Sequence, residues 1–135
     1  MSSLENIEIS EFNVFTRGTT DLLAINKIGL EADTLERVFF LIATAPDLRG
    51  AHAHISCTQW FAILSGSASL SATDGVAKRN LELNRLGEIV KVPSGIWVEV
   101  NILEPSVIAV FADLDFDEGD YIRDWESFIK YKGVA

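Results

Sequence analysis

The chain has 135 residues, 48% of them hydrophobic, with 20 acidic against 11 basic residues and a net charge of -9. That is the size of one domain able to bury a core, which argues against wholesale disorder. The acidity repels phosphate backbones, so nucleic acid is not expected as a partner, and no stretch nears the roughly 20 apolar residues that span a bilayer, so no membrane is expected either.

The lone Cys57 cannot close an internal disulfide, and Met1 to Glu5 lacks the basic flank and apolar centre of a signal peptide, so a cytoplasmic protein is expected. Residues 1–135 read as one domain, without repeat or linker. In chain order, Ile7 to Phe15 alternates as a half-buried strand with a slip near Ser10-Glu11, and Thr16 to Thr20 is a turn. Leu22 to Ile25 is a short strand candidate, and Gly29 to Thr34 a loop. Arg37 to Ala43 is a continuous aromatic and β-branched run, expected to be buried on both faces.

The stretch Arg49-Gly50-Ala51-His52-Ala53-His54 holds both histidines of the protein. On a strand, residues two apart share a face, so both imidazoles are expected to project together. Gln59 to Leu64 is an apolar strand stopped by Ser65-Gly66. Ser67 to Thr73 alternates strictly, and Asp74-Gly75 is a strong hairpin signal. Strands follow around Leu81 and Leu83, over Glu88 to Val92, along Ile96, Val98, Val100 and Ile102, and over Val107 to Phe111. The carboxylate-rich run from Asp113 to Asp120 lacks calcium-loop spacing and reads as a solvated turn. Tyr121, Ile122, Trp125, Phe128 and Ile129 then recur at helical spacing. Asp117 or Asp120 is expected to cap that helix, Gly133 to end it, and its apolar stripe to pack outside the sheet. Many short strands joined by Gly, Pro and Asp turns indicate an all-β sandwich or barrel with a short C-terminal helix.

The spacing of His52, His54, Gln59 and Gly66, then of Gly87, Pro93, Gly95 and Val98, resembles the two motifs of the cupin superfamily, a jelly-roll barrel of antiparallel strands. In metal-binding cupins the Gln59 position is usually glutamate and the Val98 position histidine. With both replaced, neither a bound metal nor another cofactor is expected.

A resemblance covering nearly the whole chain is carried by Arg37-Val38-Phe39-Phe40, Arg49-Gly50-x-His52-Ala53-His54, Pro93-Ser94-Gly95-Ile96-Trp97 and Asp120-Tyr121-Ile122-Arg123-Asp124-Trp125. It is similar to the WxcM-like sugar 3,4-ketoisomerases, metal-independent cupins that move the carbonyl of dTDP-4-keto-6-deoxyglucose from C4 to C3. In that family the product feeds an aminotransferase on the way to 3-amino sugars of polysaccharides, and homodimers exchange N-terminal strands. The resemblance implies His52 as the base at the sugar, His54 as its partner and Arg49 as a diphosphate ligand. It also implies substrate contacts for Gln59, Arg37 and Arg17, and a stacking role for Trp97. Such a keto shift passes through an enediol and needs a base that titrates near the working pH, which imidazole supplies. The chain departs from the family at Phe39, Phe40, Ala43 and Val98, where Tyr, Tyr, Asp and His are usual. Those losses keep a second reading open, a non-catalytic cupin module that binds a nucleotide sugar or carbohydrate.

Overall fold

The computed structural model describes residues 3–134. Among the described residues, twelve strands form two five-stranded sheets and a separate hairpin, with every pairing antiparallel. The first sheet runs β1 (Glu8–Glu11), β9 (Glu88–Val92), β6 (Gln59–Ser65), β11 (Ser106–Ala112), β4 (Arg37–Ala43). The second runs β12 (Tyr121–Ile122), β5 (Asp47–His54), β10 (Trp97–Ile102), β7 (Ala68–Thr73), β8 (Lys78–Leu83). The hairpin pairs β2 (Val14–Arg17) with β3 (Thr20–Leu23). One α-helix follows, α1 (Trp125–Lys132). This is the expected all-β cupin-like jelly roll with a short terminal helix.

The strict alternation of Ser67 to Thr73 has its expected result: Ala68, Leu70 and Ala72 are fully buried between the sheets. Ile96, Val98, Val100 and Ile102 join the same core. β6 reads as a continuous apolar run because both its faces are covered, whereas β10 alternates, with Glu99 and Asn101 on its outer face. Outside β6, Trp60 and Ala62 pack with Leu30, Ile89 and Ala109, and the Trp60 indole N–H donates to the Leu30 carbonyl at 3.1 Å. Outside the second sheet, Ala53, Trp97 and Ile122 are covered by Phe128 of α1.

Three expectations need correction. The first strand is broken at Phe12-Asn13, where the Phe12 N–H turns to bond the Gly87 carbonyl. β4 is not buried on both faces. It is an edge strand with Arg37, Phe39 and Leu41 inward, while Val38, Phe40 and Ile42 are 47%, 53% and 74% exposed. The helix begins four residues later than its apolar spacing suggests, because Tyr121 and Ile122 pair with His54 and Ala53 as a strand. Asp124 caps α1, its carboxylate accepting the Ser127 N–H at 3.0 Å, and Asp117 instead caps a short 3-10 turn over Glu118–Asp120. Gly133 ends α1 in the left-handed conformation, as expected. An eight-residue helix is too short to hold alone, so burial of Phe128, which contributes about 1.5–3 kcal/mol, keeps it docked.

Candidate active site

The site is built on an irregularity in β5. Val100 lies opposite Arg49, Glu99 opposite Gly50, and Val98 opposite His52, so Ala51 is one residue too many for the ladder. Gly50 and Ala51 take φ of +92° and +57°, and a Cβ at Gly50 would stand 3.0 Å from the Val98 carbonyl oxygen. Glycine accepts both that backbone and that approach. The bulge moves Arg49 and His52, three residues apart and on opposite faces of a regular strand, to the same face.

Both face a cavity of about 140 Å³ between the sheets. The second sheet and the segment after it contribute Arg49, His52, Val98, Val100, Tyr121 and Arg123. The first sheet contributes Arg37, Phe39, Leu41, Gln59, Phe61 and Val110. The cavity is well below the roughly 300–1,000 Å³ of a drug-sized pocket, so it takes one ring of a larger ligand and leaves the rest outside.

His54 stands behind His52. Their ring centres are 5.1 Å apart, and the Tyr121 ring lies 5.0 Å from His52 and 4.3 Å from His54. The Asp120 carboxylate accepts the Ser56 N–H at 2.7 Å and the Cys57 N–H at 3.1 Å, and lies 3.0 Å from His54 Nδ1. Both Asp120 oxygens accept backbone N–H groups, so the carboxylate meets the ring as an acceptor, which assigns the proton to His54 Nδ1 and leaves Nε2 as a bare acceptor. His54 Nε2 and His52 Nδ1 are both buried without a hydrogen-bond partner among the described residues. Burial pushes His52 down from 6.5 to about 4, against a backbone interaction at Gly50 that raises it. Burial also lowers His54, outweighing the Asp120 carboxylate. Both rings are therefore neutral at neutral pH, the state from which a base accepts a proton.

Three guanidinium groups border the cavity of this acidic protein. Arg37 lies 4.4 Å from the Phe39 ring centre and 5.3 Å from that of Phe116. Arg123 covers Tyr121 at 4.1 Å while its Nε donates to Glu118 at 3.0 Å. Arg49 is exposed. Such groups suit a diphosphate, which guanidinium meets with paired hydrogen bonds.

Of the residues singled out from sequence, Arg37, Arg49, His52 and Gln59 line one cavity, with His54 directly behind. Trp97 corrects the stacking expectation. It points out of the barrel, 7% exposed, with its ring 5.3 Å from Trp125 and 5.5 Å from Phe128. Ile96 and Val98 face inward, so Trp97 between them faces the helix. Arg17 lies on the exposed β2–β3 hairpin, away from this chain's own cavity. Sequence reasoning missed Asp120, Tyr121 and Arg123 as site residues. Their signal is the Asp-Tyr-Ile-Arg run, which carries the family resemblance but whose apolar spacing reads as the start of the helix.

His54, Cys57 and Asp120 offer possible metal-ligating atoms within 4.8 Å of one another. They fit a metal poorly. Both Asp120 oxygens already accept backbone N–H groups, and burial, with help from Asp113, pushes the Cys57 thiol up to about 11, so it stays protonated.

The family described as FdtA: WxcM-like, C-terminal matches residues 5–133. A curated relative, the TDP-4-oxo-6-deoxy-alpha-D-glucose-3,4-oxoisomerase of Aneurinibacillus thermoaerophilus, is 30% identical over 100 residues, covering 73% of this chain and 72% of its own. QdtA, a sugar 3,4-ketoisomerase from Thermoanaerobacterium thermosaccharolyticum solved with TDP, superposes with a TM-score of 0.88 at 26% identity, over 96% of each chain. WlaRB, a TDP-quinovose 3,4-ketoisomerase from Campylobacter jejuni, gives 0.83 at 26% identity over 94% of this chain and 99% of its own. Matched over residues 5–133, nearly its full length, the chain belongs to the FdtA family of WxcM-like C-terminal domains.

Proposed function

We propose that this protein is a metal-independent TDP-sugar 3,4-ketoisomerase, an intramolecular oxidoreductase that moves a carbonyl between C4 and C3 of a TDP-4-keto-6-deoxyhexose. The observation that carries this is His52: an imidazole held neutral at neutral pH, lining a cavity sized for one sugar ring. The relatives named above carry the same activity in their names.

His52 removes the proton from C3, made acidic by the neighbouring ketone, and the enediol formed is reprotonated at C4. Tyr121, against both imidazoles, is placed to move the hydroxyl proton between O3 and O4. Asp120 fixes the orientation and tautomer of His54 behind His52. Phe39, Phe61 and Val110 limit water around the enediol. Gln59 hydrogen-bonds the sugar hydroxyls, and Arg37, Arg49 and Arg123 hold the diphosphate.

The non-catalytic alternative is disfavoured, because the lost Tyr, Asp and His positions leave the base and its support in place. We also propose a cytoplasmic homodimer. β1 pairs with β9 of its own chain, so the exchange expected of the N-terminal strands is assigned to the β2–β3 hairpin. It pairs with no other strand among the described residues and exposes Phe15 and Leu22. No described helix is long and apolar enough to cross a membrane.

The test is to incubate purified protein with TDP-4-keto-6-deoxyglucose in deuterated water, with and without a 3-aminotransferase. Expected are a one-deuteron mass gain and conversion to the 3-amino sugar, both abolished in His52→Asn. Binding of the sugar nucleotide without either change supports the binding module instead.

A further inference from the structure

The barrel is open along one seam. β4 is the outer strand of the first sheet and the two-residue β12 the outer strand of the second, and no strand pairing joins them among the described residues. Arg37 and Phe39 on β4, and Tyr121 and Arg123 on and just after β12, line the cavity from the two sides of that seam. What crosses it is a row of rings and guanidinium groups. Arg37 lies 4.4 Å from the Phe39 ring centre and 5.3 Å from that of Phe116. The Phe116 ring is 5.7 Å from that of Tyr121, and Arg123 lies 4.1 Å from the Tyr121 ring centre.

The middle member, Phe116, belongs to neither sheet. It sits on the segment between β11 and β12, which is fastened on both sides of it. On one side the Asp113 N–H donates to the Thr58 carbonyl at 3.2 Å, and the Asp113 carboxylate accepts the Thr58 N–H at 2.8 Å. On the other the Asp117 carboxylate accepts the Gly119 N–H at 2.9 Å. A ring that stays 58% exposed gains little from leaving water, yet this one is held against one cavity residue from each side of the seam.

The chemistry of that contact matters. A ring attracts a guanidinium through its face and leaves the N–H edges free for a planar anion. A carboxylate takes those edges instead. Asp115, Asp117 and Glu118 flank Phe116, and Glu118 does accept from Arg123 Nε. Among the described residues no carboxylate pairs with Arg37, whose neighbours are the Phe39 and Phe116 rings.

We propose that Phe116 is a positioning residue for the diphosphate. It clasps the open seam and holds Arg37 directly, and Arg123 through Tyr121, at a fixed separation with their donor edges unspent. This rests on the ketoisomerase reading above and names what sets the geometry of its anion site.

The test titrates wild type, Phe116→Ala, Phe116→Leu and Phe116→Tyr calorimetrically with inorganic pyrophosphate and with TDP, and follows turnover of TDP-4-keto-6-deoxyglucose. Alanine and leucine are expected to weaken pyrophosphate and TDP by the same factor, about 3–10-fold for the loss of one or two exposed cation–ring contacts. KM should rise by that factor with kcat unchanged, since Tyr121 still rests on both imidazoles, and tyrosine should retain wild-type affinity. If the alanine variant does not fold, the leucine variant decides. Weaker TDP binding with pyrophosphate unaffected would make the ring a nucleobase platform and overturn the proposal. Unchanged affinity for both ligands in either ring-less variant also overturns it. Failure of the wild type to bind pyrophosphate or TDP overturns the diphosphate assignment itself, and the proposal with it.

Discussion

The two sides of the sandwich use the same architecture to opposite ends. Where β7 and β8 face β9, the gap is closed by Ala68, Leu70, Leu83 and Val90, each 2% exposed or less. Where β5 and β12 face β4, the inward residues are Arg49, His52, His54 and Tyr121, and a cavity remains. The closed side holds the fold. The open side gathers polar side chains, and two of them keep unpartnered ring nitrogens among the described residues. Buried polar atoms without partners carry an energetic penalty, tolerated where a ligand will meet them.

The comparison is broken most sharply by His52→Asn, which is expected to lower kcat/KM by about 10²–10⁴-fold, the usual contribution of a general base, without lowering Tm. Leu70→Ala on the closed side is expected to do the reverse: a loss of about 2–5 kcal/mol in denaturant titration, with kcat of the folded enzyme unchanged. Asp120→Asn sharpens the contrast inside the open side. Its amide oxygen still accepts a backbone N–H, but its NH2 group meets His54 Nδ1 and favours the other tautomer. We expect kcat to fall about 10–100-fold, as for outer partners of metal-binding histidines, with KM little changed. The His54 ring nitrogens should exchange their NMR signatures.

The smallest effect is on acid stability. The unfolded chain takes up protons at its histidines near 6.5, whereas folded His52 does so only near 4. Between those values the unfolded state binds more protons, so stability falls as pH is lowered from about 6.5 to 4 and this contribution is flat below 4. His54, also lowered, adds in the same direction. Tm measured across that range should drop more in the wild type than in His52→Asn.

Much of this organisation is written locally. The period-two alternation of Ala68, Leu70 and Ala72 and the turn at Asp74-Gly75 each read correctly because neighbours in sequence decide them. The errors share a cause. Helical spacing at Tyr121 and Ile122 was overridden by β5, a strand laid down 66 residues earlier and bonded through Asp120. The apolar run of β4 records that its side chains are greasy, not how many faces this chain covers. Trp97 was placed by its chemistry, when the inward Ile96 and Val98 already fixed its direction. The β5 bulge left only Gly50 as a trace, and a glycine is compatible with many turns.

Asp120 ties the backbone at Ser56 and Cys57 and the ring of His54 to a segment beyond the last long strand. Every strand of the two five-stranded sheets except β12 pairs without that segment, so closure of the barrel and orientation of the histidine are separable. A protease nick between Asp113 and Asp117 would leave a barrel with its sheets paired and its histidine unoriented. Turnover thus reports docking of the C-terminal segment, which total β content does not.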